Sequence, residues 1–333
     1  MNIAQSYLLR LQRKRWKIRA FRKRRELRSV QDRTGAIRPG NILLFATFRN
    51  EDIRLPYFFD YYRKLGVDHF LLVDNDSSDG GGDYAANQPD VSLWSTDAGY
   101  GNARFGIDWL TYLQSRYADG HWALTVDVDE FFVYPFCDTR PLAALGDWLD
   151  ASEVRSFGTI MLDMYPKERV STAVYERGTD PFAMANWFDA GNHMISRNKR
   201  LRNLWIQGGP RARAFFADRP AKAPALNKIP FVKWSKRYTY VSSTHMILPR
   251  GLNLVYDQQG GEKTSGVLLH AKFINIFGDR AAQEAARAEH YQKGNEYRRY
   301  TQDDPILWSE WSHQYVNWRQ LEGLGLMSKG NWA

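Results

Sequence analysis

WALTV, residues 122–126, runs directly into DVDE, residues 127–130, and this stretch decides how the chain is read. Five consecutive uncharged residues suit a strand buried on both faces of a sheet. Carboxylates that alternate beyond its end project toward the same side, so Asp127 and Asp129 can converge on one hard cation. Magnesium and manganese prefer carboxylate, water and phosphate oxygens, and a site shared with phosphates needs only one or two protein carboxylates. The rival reading of DVDE is an acidic turn that happens to follow a strand.

The same alternation of apolar runs and turns extends on both sides. Upstream, 41–48 (NILLFATF) is another continuous apolar run. A polar turn, Arg49-Asn50-Glu51-Asp52, then leads into a predicted helix over 55–65 that Gly66 ends. A second strand at 69–73 stops at Asp74-Asn75-Asp76-Ser77-Ser78-Asp79-Gly80, a third is expected at 91–94, and a helix over 102–117 leads back to WALTV. Strands that alternate with helices argue for an α/β fold with a mainly parallel sheet flanked by helices. Ligands of such sheets bind beyond the carboxyl ends of the strands, and both acidic clusters lie at those ends. Downstream the pattern is less regular. Strands are expected at 156–164, 238–243 and 267–270, a Pro-, Arg- and Ala-rich loop at 210–225 and a helix at 280–293.

A chain of 333 residues with 44% hydrophobic and 14% aromatic content can build a sizeable core, which excludes global disorder. Its one cysteine, Cys137, excludes an internal disulfide framework and fits a reducing, cytoplasmic setting. No apolar run reaches the length of a membrane span, and the first residues lack the pattern of a secretory signal.

The net charge of +9 is uneven. Residues 1–40 hold 13 Lys/Arg against Glu26 and Asp32, giving +11, so the remainder sums to −2. A helix is predicted over 7–30, with Tyr7, Leu8, Leu11, Ile18 and Phe21 on a loose apolar stripe and Trp16 off it. Such a basic amphipathic leader, 1–38, suits an anionic membrane surface. Nucleic-acid binding is the rival, but the near-neutral body would confine that footprint to the leader. On this reading, deleting 1–38 leaves donor chemistry intact and abolishes membrane association.

Arg49-Asn50-Glu51, the helix end Arg63-Lys64-Leu65-Gly66-Val67, Val73-Asp74-Asn75-Asp76-Ser77-Ser78-Asp79 and Asp127-Val128-Asp129-Glu130-Phe131 together resemble the GT-A family 2 glycosyltransferases. More narrowly they are similar to the bacterial family-2/family-92-like branch. The motifs span roughly 41–135 in the expected order. The resemblance implies a Rossmann-like GT-A fold, with 39–150 as the nucleotide-sugar half and 151–333 as the acceptor half. It implies a sugar transferred with inversion from a nucleotide-sugar, a UDP-sugar being favoured, to a cell-envelope glycan or lipid-linked acceptor. Mn2+ or Mg2+ would assist, at the cytoplasmic face of the inner membrane.

The resemblance further implies that Asp74, Asn75 and Asp76 line the nucleotide pocket, with Thr47 and Glu51 across from them. Asp127 and Asp129 would hold the metal and diphosphate, with His270 as a late metal ligand and His245 as second choice. For Asp74 to Asp79 an Asx-rich turn remains the alternative. Asn102 and Arg104 open a helix whose N–H groups suit a phosphate or sugar. Lys272, or Arg211 and Arg213, can screen diphosphate charge. Inversion needs a general base for the acceptor hydroxyl, and Asp163, Asp189 and Glu130 are the candidates. Trp308, Trp311, Tyr315 and Trp318 recur at helical spacing, which predicts a helix packed on the core. A sugar nucleotidyltransferase lacks support because no Gly-rich loop follows the first strand, and a non-enzymatic nucleic-acid binder is disfavoured by the charge distribution.

Overall fold

The computed structural model describes residues 3–256, 262–274 and 304–332. In chain order its strands are β1 (Arg28–Gln31), β2 (Ile42–Phe48), β3 (His69–Asp74), β4 (Val91–Ser95), β5 (Trp122–Thr125), β6 (Glu130–Val133), β7 (Ser156–Asp163) and β8 (Trp187–Asp189). They continue as β9 (Met194–Asn198), β10 (Asn203–Gln207), β11 (Asn227–Lys233), β12 (Thr239–Ser242), β13 (Met246–Leu248), β14 (Gly266–His270) and β15 (Ser312–Gln314). The helices are α1 (Ile3–Lys23), α2 (Leu55–Leu65), α3 (Gly81–Ala86), α4 (Ile107–Tyr117), α5 (Leu142–Ala151), α6 (Gly209–Phe215) and α7 (Trp318–Gly323).

Nine strands form one mixed sheet in the order β1-β4-β3-β2-β5-β11-β7-β14-β6. Strands β2, β3, β4, β5, β7 and β14 run one way, and β1, β11 and β6 run against them. The sheet is buried on both faces because its strands alternate between two apolar layers. Ile42, Leu44, Ala46 and Phe48 of β2 face a core shared with α2 and α5, while Leu43 and Phe45 face one shared with α4. Helix α2 buries Leu55, Phe58, Phe59, Tyr62 and Leu65, an i, i+3, i+4, i+7, i+10 stripe, and Gly66 ends it at φ 93°.

Several expectations are corrected. The leader helix stops at Lys23 and is followed by β1, which pairs antiparallel with β4 at the sheet edge. Residues 210–225 begin with helix α6. The helix expected from 102 starts at Ile107, after a tight turn and three residues with positive φ, Arg104, Phe105 and Gly106. The aromatic series 308–318 is not one helix: Ser312–Gln314 inside it form β15 and pair with β8, Trp311 is 78% exposed, and Trp318 alone starts a helix, α7. The helix expected at 280–293 lies outside the described residues. No helix among the described residues is long and apolar enough to cross a membrane.

Candidate active site

The sheet register assembles the site. Strands β7 and β14 are parallel neighbours with Asp163 opposite His270, and antiparallel β6 sets Glu130 opposite the same His270. His270 lies more than 100 positions from both in sequence, and all three stand at strand ends beside the turn that carries Asp127 and Asp129.

Their side chains form a buried chain of charges. Arg211 Nε donates to Asp163 Oδ2 at 2.7 Å, Asp163 Oδ1 meets His270 Nδ1 at 2.7 Å, and His270 Nε2 meets Asp129 Oδ2 at 3.2 Å. The Ala271 N–H donates to the Asp129 carbonyl at 2.8 Å, and Arg54 Nη2 donates to the Ala271 carbonyl. Arg54 also pairs with Glu51 at 2.9 Å. Burial alone would disfavour the His270 imidazolium, but Asp129 and then Asp163 outweigh it and raise its pKa to about 9. Burial likewise opposes ionisation of both aspartates. Arg211 and His270 reverse this for Asp163, and His270 and Arg54 reverse it for Asp129, so both lie well below the ordinary carboxylate range.

A second cluster shares the turn. Lys228 Nζ, buried on β11, lies 2.5 Å from Glu130 Oε1 and 3.2 Å from Asp127 Oδ2. Glu130 Oε2 accepts the Asp127 N–H, and Tyr62 Oη donates to the Glu130 carbonyl. Burial works against the Lys228 ammonium, but Glu130 and then Asp127 outweigh it, so Lys228 stays charged. Asp127 is half exposed at 50%. It helps line a small cavity with Thr47, Tyr100, Phe105, Lys228 and Thr244. The buried hydroxyls of Thr47 and Thr244 there make no hydrogen bond. Such orphaned polar atoms on a cavity wall suit a polar ligand.

The remaining candidates are placed differently. Asp74 Oδ1 accepts from the N–H and hydroxyl of Ser77, and Asn75 donates to the carbonyls of Thr96 and Ala98, so both organise the turn. Asp76, with φ 63°, is exposed and pairs with Arg49. Arg104 binds Asp108 at 2.6 Å and the Tyr240 carbonyl, while Asn102 presents its carbonyl to Arg19. Asp189 pairs with Arg213 at 2.7 Å and accepts from Tyr165, a network separate from that of Asp163. Lys272 is half-buried and is one of the charges that lower Asp129. His245 contacts the Asn227 carbonyl through Nδ1, and burial followed by Lys228 lowers its pKa to about 3, so it is a neutral structural histidine.

Sequence reasoning missed Lys228 and Thr244. The available signal for Lys228 was a lysine directly before the apolar run Ile229-Pro230-Phe231-Val232.

Among the described residues no three His, Cys, Asp or Glu side chains cluster as an all-protein metal cage. Asp129 Oδ2 and His270 Nε2 do form a two-donor pair, which fits a cation that takes its other ligands from water and phosphate. Asp163 would then fix the ring of His270, as carboxylates behind ligating histidines commonly do.

No family model and no curated protein matches the chain. Among solved structures it is similar to mannosyl-3-phosphoglycerate synthase from Rubrobacter xylanophilus, at 20% identity and a TM-score of 0.26 over 41% of this chain and 47% of that one. It is also similar to a protein from Bacillus anthracis provisionally named a glucose-1-phosphate thymidylyltransferase, at 8% identity and a TM-score of 0.30 over 86% and 95% of the two chains. The first match spans about half the length of the synthase.

Proposed function

We propose that this chain is a metal-dependent glycosyltransferase of the GT-A kind, which moves a sugar from a nucleotide-sugar onto an acceptor hydroxyl. The observation that carries the reading is the buried sequence Arg211–Asp163–His270–Asp129 at the carboxyl ends of the strands, next to a cavity with orphaned hydroxyls. A bound Mg2+ or Mn2+ would be held by Asp129 and His270 and would supply charge neutralisation for the departing diphosphate. Thr47, Asp127, Lys228 and Thr244 line a water-sized cavity beside this pair. Asp163 is spent on Arg211 and His270 and is held too acidic to accept a proton readily, so we assign it to orienting His270. Glu130 and Asp189 are paired with Lys228 and Arg213, and burial raises the Glu130 carboxyl to about 7 against the pull of Lys228. The turn between β2 and α2, Arg49 to Arg54, contains no glycine, which speaks against a triphosphate-cradling nucleotidyltransferase loop. Following the motif resemblance, the donor is read as a UDP-sugar and the acceptor as a cell-envelope glycan or lipid-linked glycan at an anionic membrane surface.

Thermal stabilisation by UDP, GDP and CDP, each with Mn2+ or EDTA, tests this. We expect one nucleotide to raise Tm in a metal-dependent way, an effect lost in Asp129→Ala and His270→Ala. Absence of any nucleotide shift in the wild type would overturn the reading.

A further inference from the structure

Helix α1 has two faces with opposite fates. Leu9 and Ala20 are buried against the body. On the same side the Arg104 guanidinium stacks 4.3 Å from the centre of the Trp16 ring, and Arg19 reaches Asp108 at 2.6 Å and the Asn102 carbonyl at 2.5 Å. On the far side Tyr7, Leu11, Ile18 and Phe21 follow one another at spacings of four, seven and three and stay 42–59% exposed. Lys14 falls on that line, with Arg15 and Arg22 beside it, all exposed. Docking the helix therefore leaves its apolar stripe facing solvent.

The inner face holds a particular segment. Tyr100 and Phe105 wall the cavity described above. Between them and α4 the backbone takes positive φ three times running, at Arg104 (53°), Phe105 (57°) and Gly106 (76°). Two successive non-glycine residues in that region persist where surrounding contacts over-determine them. Trp16 and Arg19 of α1 supply such contacts.

We propose that the outward stripe of α1 lies on an anionic lipid surface while its inward face fixes this strained wall of the cavity. Lipid binding then orients the cavity rigidly to the membrane instead of tethering it on a leash. The occupant follows from the chemistry: Ile3–Lys23 holds eight Lys/Arg and no Asp or Glu, arranged around exposed aliphatic and aromatic side chains. Cations match phosphate headgroups and the stripe matches acyl chains. A nucleic acid would use the charge and leave the stripe wet. The inference rests on the nucleotide-sugar reading only for the cavity's ligand.

The test uses the intact chain with phosphatidylcholine vesicles, with and without phosphatidylglycerol. We expect flotation with the anionic vesicles alone. Leu11→Gln/Ile18→Gln/Phe21→Gln, which keeps every cation, should lower that binding about tenfold or more and leave hydrogen exchange over 98–106 unchanged. Trp16→Ala, or the milder Arg19→Gln, should do the reverse: vesicle binding retained, exchange over 98–106 faster and nucleotide stabilisation weaker. Failure of the wild type to float would overturn the proposal. So would a triple variant that floats as well as wild type. Unchanged exchange over 98–106 in both inner-face variants would overturn the clamp. Exchange needs no nucleotide, so a failed donor reading and a failed clamp are separable.

Discussion

His270 Nδ1 lies 2.7 Å from Asp163 Oδ1, across a parallel strand pair that sets the two residues opposite one another. With Arg211 on its other oxygen, Asp163 is locked, so the imidazole is aimed at Asp129. The behaviour of the candidate site follows from this contact.

Asp163→Asn keeps the shape and removes the charge. The buried Arg211–Asp163 ion pair is then broken, a loss of about 3–5 kcal/mol for such a pair. Urea denaturation should register it. In the folded fraction, Mn2+ affinity should fall about 10–100-fold, the usual effect of losing the group behind a ligating histidine. Unchanged Mn2+ affinity would remove Asp163 from the site.

The folded pKa of His270 is raised from its ordinary 6.5 to about 9, so its contribution is complete below pH 6.5 and is lost as pH rises through about 9. The span corresponds to about 3 kcal/mol. Metal-free wild type should lose Tm between pH 6.5 and 9 relative to His270→Gln, which lacks the titration. Over the same window a cation competing for Nε2 should bind more tightly as pH rises. Parallel Tm profiles of the two proteins would contradict the ion-pair assignment.

Lys228→Met leaves Glu130 buried without its cation and should cost about 3–5 kcal/mol. Adding Glu130→Gln should recover most of the loss, because a neutral amide does not need the ammonium. A double-mutant cycle on denaturant midpoints measures the coupling, and additive losses would mean that the pair is not coupled.

Gly266 starts β14, where a Cβ would come within 2.5 Å of the Val133 carbonyl and 2.9 Å of the Phe157 ring. A backbone oxygen cannot step aside, so Gly266→Ala should destabilise by about 1–3 kcal/mol. It should also weaken Mn2+ binding by displacing the strand that carries His270. Tm and Mn2+ titration check both effects.

Deletion of residues 1–38 now carries an expectation different from the one its sequence suggests. It removes β1 from the sheet edge and the contacts of Trp16 and Arg19 with Arg104, Asp108 and Asn102, so nucleotide stabilisation should fall along with vesicle binding. Full retention of nucleotide stabilisation would return 1–38 to the status of a separable leader.

The sequence by itself determined the α/β alternation and most strand positions. Runs such as NILLFATF and WALTV, bounded by polar turns, have few other ways to bury every side chain. It also determined that Asp127, Asp129, Asp163 and His270 stand at strand ends. It did not reveal β11, whose Asn227, Lys228 and Pro230 read against a strand. That strand sits in mid-sheet because Glu130 and Asp127, about a hundred residues away, neutralise its lysine. The partners of Arg211, the turn-building roles of Asp74 and Asn75, and the face of α1 that meets the body were likewise decided by the tertiary structure. Periodicity reports where apolar side chains lie around one helix or strand. Which charges meet is set by which strands become neighbours, here β5-β11-β7-β14-β6, and the pattern along a single strand does not specify that.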